Sequence, residues 1–189
     1  SKFEFWASQL NAINQGILMT DESYVISMPT STGKTFIAEL SILDNLIKYP
    51  GKKCIYIAPF RALTTEIESE LSKNLSKIGF SVSTLTGSYE IDDFQDLILD
   101  ETDVLVATPE KIDLLFRLKP EFFSNISTLI LDEGHIIGDQ KERSSIVEFL
   151  LIRLKIKIPY LKIILISAVM PELNAQEFSQ WISSKKENV

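Results

Sequence analysis

Two kinds of run alternate along the chain. Short runs that are apolar at nearly every position occur at YVIS (24–27), KCIYIAP (53–59), VSTL (82–85), VLVAT (104–108), STLILD (127–132) and KIILIS (162–167). Brief, Val- and Ile-rich runs of this kind read as strands covered on both faces. Between them the apolar period lengthens. Ile37, Leu40, Leu43 and Ile47 recur at helical spacing, and so do Leu63, Ile67, Leu71, Leu75 and Ile78, with Gly79 placed to end that helix. Further helical patterns cover roughly 109–117, 144–155 and 171–183, and Pro109 and Pro171 suit the first turns of theirs. Strands alternating with helices predict a parallel sheet between two helical layers. The expectation is an α/β three-layer sandwich with a mostly parallel central sheet. One domain spans 1–189, without repeat or linker, and the final SSKKENV reads as a frayed tail.

Composition narrows this picture. A chain of 189 residues with 45% hydrophobic positions can bury a core, which excludes disorder as its main state. One cysteine, Cys54, and one histidine, His135, exclude a disulfide framework and a Cys/His metal centre. No apolar run approaches the ~18 residues of a membrane helix. The start, SKFEFWASQ, lacks a basic segment followed by an apolar one, so the expected location is the cytoplasm, or the nucleus in a eukaryote. The net charge of −7 speaks against a broad basic face for nucleic acid, while leaving room for a few phosphate contacts from loops.

The strongest chemistry is in MPTSTGKT (28–35), between a strand and a helix. In that setting Thr30, Ser31, Thr32 and Gly33 form a loop whose backbone approaches phosphate oxygens, and Gly33 permits the turn. The helix start adds unpaired N–H groups and a positive dipole end. Lys34 reaches the β- and γ-phosphates of a nucleotide, and Thr35 offers its hydroxyl to magnesium. Met28 stands where the usual pattern has a small residue. The second motif, LILDEGH (129–135), ends an apolar strand in Asp132 and Glu133. Parallel strands aim their C-terminal ends at the ligand crevice. There Asp132 would sit near the magnesium through water, and Glu133 would orient and deprotonate an attacking water.

These motifs, with others in order around them, resemble the first RecA-like domain of superfamily 2 DExH helicases, in a branch like the superkiller-type enzymes. The resemblance runs over roughly residues 3–183. It includes FWASQLNAI, with Gln9 implied for adenine recognition, APFRAL (58–63), the TG at 86–87, ATPEK (107–111), HIIGD (135–139) and PELNAQEFSQWI (171–182). It implies a P-loop ATPase fold with ATP and magnesium as cofactors. It also implies an RNA or DNA backbone held by Arg61, Thr86, Gly87 and Thr108, with Thr64 beside Arg61 on the crevice edge. His135 and Ser167 are implied in coupling nucleotide state to the rest of the domain. The family's Ser-Ala-Thr appears as Ser167-Ala168-Val169, where valine keeps the shape and loses the hydrogen bond. QKERSS follows HIIGD where relatives often carry a glycine-rich turn, so Arg143 receives no role.

The expected activity is that of an ATP-dependent nucleic-acid helicase motor. The resemblance further implies a second RecA-like domain in a longer parent chain, so the isolated domain should be nearly inactive. Two alternatives are a duplex-DNA translocase and a nucleotide-gated nucleic-acid-binding scaffold whose hydrolysis has decayed. Other features carry structural expectations only. The acidic stretch Glu90, Asp92, Asp93, Asp96, Asp100 and Glu101 reads as a solvated helix face, and Arg153, Lys155, Lys157 and Lys162 read as solvent-facing. Cys54 reads as inert core, and Trp6 and Trp181 as packing residues.

Overall fold

In a computed structural model the described residues are 5–29, 33–85, 93–134, 142–168, 179 and 181–182, without the side chains of 93–96 and 142–144. All six expected strands form: β1 (Tyr24–Ser27), β2 (Lys53–Ile57), β3 (Val82–Thr84), β4 (Val104–Ala107), β5 (Ile126–Asp132) and β6 (Lys162–Ser167). The helices are α1 (Ala7–Asn14), α2 (Lys34–Lys48), α3 (Arg61–Leu75), α4 (Asp93–Glu101), α5 (Pro109–Leu118) and α6 (Glu142–Lys157). Pro109 opens α5. Gly79, at φ 91°, closes the short 3-10 turn Ser76–Ile78 that follows α3. The expected helix at 171–183, with Pro171 and the tail, lies outside the described residues apart from 179, 181 and 182.

The strands form one sheet in the order β1-β6-β5-β2-β4-β3, and every pairing is parallel. All C-terminal strand ends therefore open on one edge. Side chains alternate between the two faces, as the pleat requires. Ile55, Ile57, Leu105, Ala107, Leu129, Leu131, Ile163 and Leu165 pack with α5, α6 and the end of α4. Cys54, Tyr56, Val104, Val106, Ile130, Ile164 and Ile166 pack with α2 and α3 on the opposite face. Each fully buried aliphatic side chain contributes about 1.5–3 kcal/mol, so these two layers dominate the stability.

Several expectations need correction. The buried stripe of α2 runs through Ile37, Ala38, Ser41, Ile42, Asn45 and Leu46, while Ile47 is 64% exposed. The helix is rotated so that its polar members face inward, where each finds a partner. The Ser41 hydroxyl donates to the Ile37 carbonyl, and the Asn45 amide oxygen accepts from Ser127 and Cys54. Lys162 is not solvent-facing. It is 3% exposed, and its ammonium donates to the carbonyls of Ile17 and Thr20 at 2.6 and 2.7 Å. Burial holds its pKa below the usual lysine value, against the opposing charges of Asp44 and Asp21. Trp6 is 61% exposed and is no packing residue. Cys54 is buried as expected, and burial pushes its thiol pKa up. Asp100 and Glu101 are exposed on α4, and Arg153 is half-buried, paired with Asp113 beneath the Phe116 ring. No helix among the described residues is long and apolar enough to cross a membrane.

Candidate functional site

The phosphate-loop expectation begins at Gly33. It caps α2 in the left-handed region at φ 74°, a conformation that strains any residue with a Cβ. A Cβ there would also run into the Gln9 amide. Gln9 is buried against this turn, its Nε2 3.5 Å from the Gly33 carbonyl and its Oε1 accepting from the Trp6 N–H at 3.0 Å. Directly after β1, the Met28 N–H donates to the carbonyl of Ser167 at 2.9 Å, which ties the approach of the loop to the end of β6. Ser167 itself is fully buried.

Lys34 is the first residue of α2 and is mostly buried. Its ammonium donates to Glu133 Oε1 at 2.5 Å and stands 3.9 Å from Asp132 Oδ1. The two sequence motifs, about a hundred residues apart, thus meet in one ion-paired group. Asp132 ends β5 on the same sheet face as Ile130, towards α2. Glu133 then turns at φ 54°, the left-handed region that non-glycine residues rarely enter. The turn lets the Glu133 N–H donate to Asp132 Oδ1 at 2.9 Å. Backbone conformations of this kind gather at functional sites, because the surrounding structure must hold them.

A residue without an assigned role joins this group. Tyr56 on β2 is 1% exposed, and its hydroxyl donates to Asp132 Oδ2 at 2.9 Å. Both Asp132 oxygens are therefore engaged. Burial raises the Asp132 pKa, and the Tyr56 hydrogen bond, the Lys34 charge and the Glu133 N–H oppose that rise. Burial first, and then the Asp132 charge, pushes the Tyr56 phenol well above its ordinary pKa. One sequence signal pointed here: Tyr56 lies within an otherwise apolar buried strand, and a buried phenol needs a hydrogen-bond partner.

The expected nucleic-acid residues occupy the same sheet edge. Arg61 opens α3 just after β2 and is exposed, and Thr108 caps α5 directly after β4. β2 and β4 are paired, so both residues leave neighbouring strand ends. Lys111 on α5 stands close to Arg61, and its pKa is lowered first by burial and then by that guanidinium. Thr64 lies beside Arg61 in the first turn of α3, as expected; it is buried, as is Thr108, and its hydroxyl donates to the Arg61 carbonyl at 2.7 Å. Thr108 is at the cap position, but its hydroxyl makes no capping bond. Thr35 follows Lys34 on α2 and is half-buried. Thr30, Ser31, Thr32, Thr86, Gly87, His135 and Val169 lie outside the described residues.

Comparison with known proteins identifies the family and the fold. Residues 6–178 match the family model described as DEAD/DEAH box helicase. The chain is 39% identical over 181 residues to the Hachiman protein HamB of Bacillus cereus, covering 95% of this chain and 16% of that protein. It is 34% identical over 182 residues to the ATP-dependent DNA helicase Hel308 of Pyrococcus horikoshii, covering 96% of this chain and 24% of that protein. The chain therefore spans about a sixth to a quarter of these relatives' length. Among solved structures, the DUF1998 helicase MrfA superposes with a TM-score of 0.77 at 21% identity, over 96% of this chain and 29% of that one. The Mycobacterium smegmatis helicase Lhr bound to ssDNA and AMP-PNP superposes with a TM-score of 0.73 at 24% identity, over 93% of this chain and 24% of that one. Both likenesses carry the RecA-like α/β fold expected from the strand pattern. With a family match over residues 6–178, most of its length, this chain belongs to the DEAD/DEAH box helicase family.

Proposed function

We propose that the chain is the ATP-binding motor domain of an ATP-dependent DNA helicase. The observation that carries this reading is Lys34 held between Glu133 and Asp132 at the start of α2. DNA is chosen over RNA because several relatives of the chain are named DNA helicases. ATP is the substrate. The loop 30–33 and the N-terminus of α2 receive its phosphates, and Gln9, already packed on the Gly33 turn, reads the adenine edge.

The ion pair suggests how hydrolysis is gated. In the structure Lys34 satisfies Glu133. A triphosphate carries more negative charge than one carboxylate, so it draws the Lys34 ammonium towards the β- and γ-phosphates. Glu133 then loses its cation and accepts a proton from a water positioned in line with the γ-phosphate. Charge on Lys34 stabilises the oxygens of the transferred phosphoryl group.

Magnesium fits the donors present. Asp132, acting through water, and the hydroxyl of Thr35 would offer it hard oxygen atoms, and no cluster of three or more His, Cys, Asp or Glu among the described residues could cage a metal. An ion held here would take the rest of its shell from water and phosphate, which suits magnesium. When bound, it neutralises charge on the phosphate oxygens. Arg61 and Thr108, with Thr86 and Gly87, hold the DNA backbone without reading its sequence. His135 and Ser167 couple nucleotide state to that edge. A second RecA-like domain in the parent protein completes the cleft, and the proposed location is the cytoplasm, or the nucleus in a eukaryote.

The test is the ATPase rate of the full-length parent with single-stranded DNA, single-stranded RNA and duplex DNA, each beside Glu133→Gln. The expected result is stimulation by single-stranded DNA, with the variant binding nucleotide normally but turning over about 10²–10⁴-fold more slowly. Stimulation by RNA alone would reassign the track. Stimulation by duplex alone would make the protein a translocase. Equal rates for wild type and Glu133→Gln, with nucleotide still bound, would leave a scaffold.

A further inference from the structure

From the Tyr56–Asp132 hydrogen bond, we infer that Tyr56 is a positioning residue for the cation-side carboxylate, fixing the plane in which Asp132 presents its oxygens to magnesium. The inference rests on the proposed role of Asp132. The terminal torsion of an aspartate is broad and nearly two-fold, so an untethered carboxylate samples many planes. Here two donors on different elements remove that freedom. The Tyr56 hydroxyl takes Oδ2 at 2.9 Å, and the Glu133 N–H takes Oδ1 at 2.9 Å. Each oxygen keeps a second lone pair, and the plane of those lone pairs is set by the tethers.

The tether is rigid because its base is rigid. β2 is paired on both sides, with β5 and with β4. Tyr56 lies beside Ile130 in the β2–β5 register, and Asp132 is two residues further along on the same face. The Tyr56 ring is wedged into the layer beneath α2 and α3. Its hydroxyl therefore projects along the sheet to the strand end, one pleat short of the carboxylate. A shorter polar side chain at position 56 would not span that step, and phenylalanine would span it without a donor. Hydrogen bonds to a ligating carboxylate orient it, and their loss typically weakens metal affinity by about 10–100-fold.

A purely structural tyrosine would satisfy its own hydroxyl on Asp132 and nothing more. The experiment that separates the two uses the full-length protein and a fluorescent ADP analogue, with nucleotide binding followed as magnesium is titrated. Wild type, Tyr56→Phe, Asp132→Ala and the double variant are compared, each with a melting curve and a magnesium-free binding curve. The expected result is that Tyr56→Phe raises the magnesium concentration at half-maximal nucleotide binding by about 10-fold. Its magnesium-free affinity stays at the wild-type value, and the double variant behaves like Asp132→Ala alone, because Tyr56 acts through that carboxylate. If Asp132→Ala shifts the magnesium curve and Tyr56→Phe does not, the positioning role falls and the reading of Asp132 stands. If neither variant shifts the curve, the reading of Asp132 fails and takes this inference with it. A Tyr56→Phe protein that loses nucleotide affinity equally with and without magnesium marks a structural tyrosine and also overturns the proposal.

Discussion

Gly134 lies between Glu133 and His135 and is buried with no room for a methyl group, since a Cβ there would overlap the isobutyl group of Leu165 on the neighbouring strand β6. The strand end that carries Asp132 and Glu133 is therefore seated directly on β6. Overpacking of this kind costs about 1–3 kcal/mol. Gly134→Ala should lower the melting temperature by about 2–4 °C per kcal/mol in a domain of this size. Leu165→Ala alone should also destabilise, by leaving a cavity. Together the two changes should cost less than their sum by more than about 0.5 kcal/mol, because the new methyl enters space the leucine vacates. Denaturant unfolding of the four proteins checks this, and strict additivity would show that Leu165 is not what confines Gly134. At this scale the sequence was only partly legible. Lys34, Asp132 and Glu133 could be singled out from two motifs at a helix start and a strand end, and the structure brings the three into one ion-paired group. Tyr56 could not, since its role depends on which face of β2 it occupies and on the register that sets Asp132 one pleat beyond it.

At the scale of elements, the strands were legible because parallel strands covered on both faces are apolar throughout, and no polar alternation blurs their limits. The helices were legible as helices, but their faces were less so. Counting apolar residues on α2 selected Leu40, Leu43 and Ile47, whereas the sheet receives Ser41 and Asn45, whose hydrogen bonds make them tolerable inside. Lys162 shows the same failure in reverse. A lysine at a strand's first residue reads as a solvated boundary, yet its ammonium stitches β6 to the Ile17 and Thr20 carbonyls that follow α1. Removing it leaves those carbonyls without their donor, at about 1–3 kcal/mol per buried group. Lys162→Met should therefore destabilise the chain. The comparison should also depend on pH. The folded pKa of Lys162 is lowered below its model-peptide value of 10.5, chiefly by burial. Below the folded pKa both states are charged and the full burial penalty applies. Between the folded and unfolded values the unfolded chain binds more protons, so stability rises with pH. The stability gap between wild type and Lys162→Met should widen from neutral to alkaline pH in denaturant unfolding. A gap that narrows would place the folded pKa on the other side of the unfolded one.

At the scale of the whole molecule, the parallel sheet gathers the described groups of the proposed site along one edge, which in the proposed reading is one wall of the nucleotide cleft. Lys34, Asp132 and Glu133 stand on it, as do Arg61 and Thr108 at the ends of the neighbouring strands. Charge developing on a transferred γ-phosphoryl group needs cations around it, and among the described residues Lys34 is the cation paired with these carboxylates. The relatives are about four to six times longer than the stretch they share with this chain, and the proposed second RecA-like domain would bring its cations to the same phosphates. Arginines supplied from outside a phosphate-loop domain raise turnover by about 10³–10⁵-fold. The 189-residue chain alone should therefore bind a nucleotide and hydrolyse ATP at a rate close to its Glu133→Gln variant. The parent should exceed it by a factor in that range, and the same variant should abolish the excess. Single-turnover hydrolysis isolates the point, because it removes product release from the comparison. If the chain alone matched the parent in the single turnover, Lys34 and the Asp-Glu pair would suffice for the transition state, and the second wall would serve movement along the track and not the chemistry.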